Sequence, residues 1–267
     1  MLQNPELHYL DNAATTMVAP EVADVIDKAM REHWANPSSL YGPGARSEEA
    51  LNTARAAVAR TLGCKSRELY FTSCGSESNN LALLGAVRTR TFGKGIGALY
   101  LSDRLMQAFR PPYLGGEQER GLRPGTENLP YAMGLAAAAT RLAKTMKSRD
   151  TAMRALNQRL REGLKAFPEV EINSPENAVP EVLNFSENCI KSETMLAWLA
   201  EAQIYVSSAS ACGRGQPSHT LAAMGKDPLA IDTAIRVSFC GDNTPEDVDA
   251  FLDRFEDGMK HLQKIRK

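Results

Sequence analysis

The sequence predicts an α/β protein in which a strand–turn–helix unit belongs to an N-terminal part and a compact α+β domain follows it. Three observations carry this. The short, largely apolar run "RELYFTS" leads into "GSESNNLALLGAV", whose apolar residues recur at helical spacing. Beyond Phe167, short strand candidates alternate with helical segments. Between Val87 and Ile96 there is no crossover of the length that a parallel neighbour strand needs.

Taken in order, "SEEALNTARAAVARTLG" sets Leu51, Ala54, Val58 and Leu62 on one helical face, with Ser47 as its N-cap and Gly63 as its stop. "RELYFTS" and the helix after it read as half of a βαβ unit. "RTRTFGKGIGALYL" passes from a helix end, through a glycine-flanked lysine, to the strand-like "IGALYL". Two helical stretches, "LPYAMGLAAAATRLAKTMK" and "TAMRALNQRLREGLKAF", are placed to bridge two lobes. After them come "VEIN", "EVLNFS", "SETMLAWLAEAQ", "IYVSS", "HTLAAMG" and "AIRVSF". The last helix, "TPEDVDAFLDRFEDGMKHLQKIR", opens with Thr244 as N-cap, Pro245 at the first helical position and acidic residues in the first turn.

The chain of 267 residues is 43% hydrophobic and 24% charged, the balance of a water-soluble globular protein. Its net charge of -1 gives no electrostatic reason to expect nucleic acid or an anionic membrane as partner. The start lacks a basic segment followed by an apolar run, and no stretch of eighteen apolar residues occurs, so a cytoplasmic location is expected. The five cysteines are widely spaced and include no C-x-x-C pair, which suggests neither a disulfide framework nor a metal site.

Four stretches have the composition of sites. In "LYFTSCGSES" a strand runs through small residues into a helix start, which leaves backbone N–H groups unpaired for a phosphate, with Gly75 and Ser76 closest; Ser76 as a plain helix cap explains the same pattern. In "AIRVSF", Arg236 either turns inward to meet a carboxylate or stands on the surface. "GGEQERGLRPGTEN" is too polar for a core and reads as a site, an interface or a solvated loop. "SSASACGRGQPSH" sets Cys212 among residues too small to bury it, where a thiolate can approach a substrate and then carry a product away.

Together, "YLDNAATT", "NPSS", "TSCGSESNNLAL", "GKGIGALYL", "GGEQERGLRPGT", "SSASAC" and "IRVSF" occur in the order seen in cysteine desulfurases, and from Tyr9 to Phe239 the chain resembles these pyridoxal-phosphate enzymes of the class V aminotransferase group. The resemblance implies a fold type I aminotransferase architecture, here with the parallel sheet of the large domain truncated. It divides the chain into a large-domain remnant with its linking helix, 15–147, and a C-terminal small domain, 148–267, joined by the N-terminal segment 1–14. It further implies a homodimer that takes sulfur from L-cysteine, leaves alanine, and hands a persulfide to a sulfur acceptor or iron–sulfur scaffold protein. Cys212 matches the persulfide-forming cysteine, Gly75 and Ser76 the phosphate-binding positions, and Thr126 the threonine lent to the partner subunit's cofactor phosphate. Asn36 and Arg236 match the groups on the substrate carboxylate.

One segment of the family pattern has no counterpart. In cysteine desulfurases the stretch between the "ESNNLAL" helix and "GKGIGALYL" carries most of the parallel sheet, a histidine over the pyridoxal ring, an aspartate on its nitrogen, a glutamine near its phenolic oxygen and the Schiff-base lysine. Here the two motifs are nearly adjacent, Arg90 or Thr91 stands where the His-Lys pair belongs, and Lys94 matches a second lysine of the glycine loop. Tyr41 and Cys74 are smaller departures, at positions where histidine and a small residue are usual. Such a chain is expected to be inactive alone, because nothing holds the coenzyme aldehyde. A non-catalytic scaffold in sulfur transfer and a related selenocysteine lyase or other class V enzyme are the alternatives.

Overall fold

The computed structural model describes residues 6–84, 95–107, 109–111, 115–208 and 218–265. The chain divides into two compact units, one formed by Val18–Thr145 and the other by Met1–Met17 together with Met146–Lys267. No helix among the described residues is long and apolar enough to cross a membrane.

The Val18–Thr145 unit begins with α1 (Pro20–Glu32), which has Pro20 in its first turn, where the missing N–H costs nothing. Helix α2 (Gly42–Leu62) starts five residues before the expected N-cap. Ser47 is an interior position, wholly buried, and the helix enters at Gly42 because Gly44 lies against the backbone carbonyls of Ser39 and Asn36, where a side chain has no room. Gly63 ends the helix in the left-handed conformation, φ 68°. Leu51, Ala54 and Val58 face the core, but Leu62 is 60% exposed, since the last turn runs past the sheet.

Strand β2 (Leu69–Thr72) is buried throughout. Leu69 and Phe71 pack with α2 and the start of α5 (Leu129–Leu164), while Tyr70 packs with Leu81, Leu99, Leu101 and Leu122, so both faces of the strand are covered. Helix α3 (Gly75–Leu84) follows at once, and β3 (Gly97–Tyr100) pairs antiparallel with β2, Tyr70 opposite Leu99. The strand–turn–helix is therefore not half of a parallel βαβ unit, as expected; the chain comes back through too few residues for a parallel crossover. Helix α4 (Asp103–Met106) is a single turn. The helical text from 129 onward forms one helix of 36 residues instead of two, since "KTMKSRDTAM" holds no glycine or proline to break it.

The other unit carries β4 (Glu171–Ile172), β5 (Val182–Ser186) and β7 (Ala234–Ser238) in an antiparallel sheet of order β4-β5-β7. β1 (His8–Tyr9) pairs parallel with β6 (Ile204–Tyr205). Helix α6 (Ser192–Glu201), the short α7 (His219–Ala223) and α8 (Pro228–Asp232), and α9 (Pro245–His261) complete it. Its core holds Phe185, Phe251 and Phe255, with the last two stacked at 5.6 Å and Phe167 set edge-on to Phe255 at 5.1 Å. Thr244 and Asp247 form a reciprocal capping box at the start of α9. The N-terminal arm is tied here by Leu10, fully buried, and by polar contacts: His8 Nδ1 lies 2.8 Å from Asp247 Oδ1, and Asn243 donates to the carbonyl of Tyr9.

Candidate functional site

In the Val18–Thr145 unit the site residues gather around the start of α3. Gly75 and Ser76 are its first two residues. Gly75 is exposed, and a methyl group built on it meets nothing within 4 Å, so the space over the turn is open. Beneath it the turn is locked: Thr72 Oγ1 donates to the carbonyl of Cys74 and lies 2.8 Å from Ser78 Oγ. Glu77 bends back to accept from the backbone N–H of Ser73, and its other oxygen receives Arg123 Nε at 3.2 Å. Burial alone would raise this carboxyl, but the Ser73 N–H and Arg123 outweigh it and hold Glu77 below its ordinary pKa. An ionised carboxylate thus ties the loop that contains Thr126 to the N-terminal end of α3.

That loop is fixed a second time. Arg55, inside α2, makes a buried two-pronged ion pair with Glu119, at 2.6 and 2.9 Å, and Glu119 also accepts from Phe71 N at 3.0 Å. Arg55 and Arg120 both donate to the carbonyl of Leu69, and the Arg120 guanidinium lies 4.1 Å over the Tyr70 ring. The outer edge of β2 is therefore occupied by side chains in place of a strand. Glu119 and Arg120 take left-handed φ angles of 49° and 59° to reach it. Thr126 itself is exposed. Asn36 is exposed as well, and its Oδ1 accepts from Ser38 N at 2.9 Å in the turn that leads into α2.

Arg236 belongs to the other unit, on β7. It neither stands on the surface nor waits unpaired: its Nη2 donates to Asp11 Oδ1 at 2.8 Å, and its side chain is 14% exposed. Its Nε is buried with no hydrogen-bond partner among the described residues. The backbones of Arg236 and Ser207 exchange hydrogen bonds at 2.6 and 3.1 Å. Ser207 is the first residue of "SSASAC"; Cys212 itself lies outside the described residues, as do Arg90, Thr91 and Lys94.

Asp11, Glu77, Arg123 and Arg55 escape the sequence analysis. Asp11, Glu77 and Arg123 stand inside quoted motifs, which is the only signal they offer. A cavity of about 770 Å³ between α1, α2 and α5, lined by Glu49, Thr53, Met133 and Thr140 among others, holds none of the site residues.

The sequence pattern of the aminotransferase class-V family matches residues 8–94 and again 92–251. The two matches meet within "TFGK", in the stretch where the motif order leaves out the family's central segment. A cysteine desulfurase of Trichormus azollae is 27% identical, with 96% of this chain and 94% of the relative covered. A NifS/IcsS protein homolog of Lactobacillus delbrueckii is 28% identical over 381 aligned positions, more than the 267 residues of this chain, with 98% of the relative covered. Alignment of that kind requires a long internal gap on this side. Among solved structures a NifS-like protein superposes with a TM-score of 0.85 at 24% identity, covering 96% of this chain and all of the other. The apo structure of a cysteine desulfurase from Thermococcus onnurineus NA1 gives 0.82 at 19% identity, covering 97% and 96%. These likenesses give the fold type I aminotransferase architecture.

The residues present suit one end of the pyridoxal phosphate that such a resemblance implies. The open turn at Gly75 and Ser76 fits a phosphate. The ring end does not fit: the segment that bears the family's lysine and ring partners has no counterpart in the sequence.

Proposed function

We infer the function from one premise: this chain belongs to the aminotransferase class-V family, whose pattern accounts for residues 8–251 in two pieces. On that premise we propose a cysteine desulfurase-like protein that keeps the phosphate turn, the substrate-carboxylate arginine and the sulfur-carrying cysteine of its relatives, and lacks the anchor for the coenzyme. The family reaction takes L-cysteine to L-alanine and leaves a persulfide on the enzyme, here on Cys212, for iron–sulfur cluster or thio-cofactor assembly. The observation that carries this is the meeting of the two family matches at residues 92–94, with ordered motifs intact on either side.

In this reading Arg236, held by Asp11, offers its guanidinium to the carboxylate of L-cysteine, and Asn36 supports the same group. Gly75 and Ser76 hold a phosphate at the start of α3, and Thr126 is lent to the same group in the partner of a cytoplasmic homodimer. The coenzyme supplies an electron sink only when an amine holds its aldehyde. That amine is missing, so the chain alone does not release sulfur. The missing segment also favours a second reading, a non-catalytic scaffold that meets the sulfur acceptor through the Cys212 loop.

The test is an absorbance scan with added pyridoxal phosphate, followed by a sulfide assay with L-cysteine. The expected result is no visible Schiff-base band and no sulfide above the Cys212→Ser background. A band that is lost in Lys94→Ala, together with sulfide release, would overturn the account of an inactive chain.

A further inference from the structure

The cavity of about 770 Å³ between α1, α2 and α5 lies wholly within the Val18–Thr145 unit, and none of the chemistry above uses it. Its floor is apolar and built of small side chains: Val25 of α1, Ala50, Ala54 and Ala57 of α2, and Ala136 and Ala137 of α5. Ala54 and Ala136 are 4% and 7% exposed, so the floor is closed beneath the opening. The helices cannot draw together to fill the space. Helix α1 already rests on α5 at Gly134, where an added methyl group would come within 2.6 Å of Ile26 Cγ1, and Glu21 of α1 receives Arg141 Nε of α5 at 2.6 Å. From Glu21 to His33 the lining follows the α1 segment for about 18 Å, which makes the cavity long.

Its volume is that of a small-molecule site, and two features say which molecule. His33, the residue just after α1, lines the cavity, and its Nδ1 is buried with no hydrogen-bond partner among the described residues. A ring nitrogen left this way is costly until a partner arrives, and with the ring proton on Nδ1 it is a donor. The charged residues of the lining are Arg46, Arg141 and Lys144 against Glu21 and Glu49, three cations to two carboxylates. Glu21 and Arg141 cancel each other, and the excess positive charge suits an anionic head. A long apolar floor, a buried donor and a net positive lining are together the complement of a long-chain carboxylate. We propose that this cavity binds a fatty acid, whose carboxylate accepts from His33 Nδ1 and whose chain lies over the alanines.

The experiment titrates the full chain with a dansyl-labelled undecanoate, whose emission rises as it leaves water, and then displaces it with unlabelled myristate below the micelle concentration. The wild type is expected to take up one equivalent, displaced by myristate and at least about tenfold less well by the uncharged myristyl alcohol. His33→Ala removes the donor and Ala137→Phe fills the floor, and each is expected to weaken myristate at least about tenfold. Both positions are half-buried, and a thermal midpoint for each variant shows that it is folded. Leu40→Ser, which removes a fully exposed apolar side chain outside the cavity lining, and Cys212→Ser are expected to bind as wild type does. Myristate affinity within about twofold of wild type in either folded cavity variant overturns the proposal. So do loss of binding in Leu40→Ser, equal displacement by the alcohol, and a reporter that does not bind at all.

Discussion

At Glu187 a single carboxyl sets a pH dependence. Burial pushes it from 4.5 up to about 8, against smaller opposing help from Cys189 and the Ile190 N–H. The unfolded chain gives up this proton near pH 4.5 while the folded chain keeps it, so folding is favoured below that value and loses stability as pH rises to about 8. Glu187→Gln is expected to remove that slope and to be more stable than wild type above pH 8 by an amount on the order of 4 kcal/mol, read from urea midpoints across pH 5–9. Arg55 tests the opposite case, a buried charge that is fully paired. Arg55→Ala strands Glu119, whose side chain is 1% exposed, and is expected to cost about 3–5 kcal/mol. Arg159→Ala breaks a two-pronged pair with Asp249 that stands in solvent, and is expected to leave the urea midpoint close to that of wild type. Equal losses in the two variants would contradict this ordering.

Among the elements, β3 depends on one glycine. A Cβ on Gly97 would overlap the backbone carbonyl of Cys74 and come within 2.5 Å of Thr72 Oγ1, so the strand cannot lie beside the α3 turn with any larger residue there. Gly97→Ala is expected to destabilise the chain by about 1–3 kcal/mol and to loosen the turn that carries Gly75 and Ser76. Gly63→Ala makes the useful contrast: φ is 68° but nothing lies within 4 Å, so only the conformational cost of about 1 kcal/mol is expected. Thermal midpoints of the two variants check the difference. The Thr244 cap and the Gly63 stop were legible, because caps are local chemistry written within four residues. The start of α2 was not. Its position follows from contact between Gly44 and the turn at Asn36–Ser39, which no periodicity records.

For the whole molecule the consequential feature is the β2–β3 pair left by the missing segment. Side chains of Arg55, Glu119 and Arg120 occupy the β2 edge, but among the described residues β3 pairs only with β2, and Tyr100 on it is 53% exposed. A two-stranded sheet with an open, uncharged edge invites another strand. The chain is expected to associate beyond its dimer as concentration rises, and Tyr100→Lys to reduce that association; sedimentation velocity over a hundredfold concentration range decides it. A wild type that grows no larger than a dimer throughout would show that the edge is adequately protected.

The family and its missing segment were legible from the order of short motifs, because each motif is a run of backbone and side-chain requirements that survives without its surroundings. Tertiary structure alone decided that Arg236 meets Asp11, 225 residues away, and that Glu119 neutralises Arg55, 64 residues away. It also decided that β3 returns antiparallel and that Glu187 is buried beside the Cys189 thiol. Such pairings depend on which charges and edges water can no longer reach, and that is a property of the packed chain.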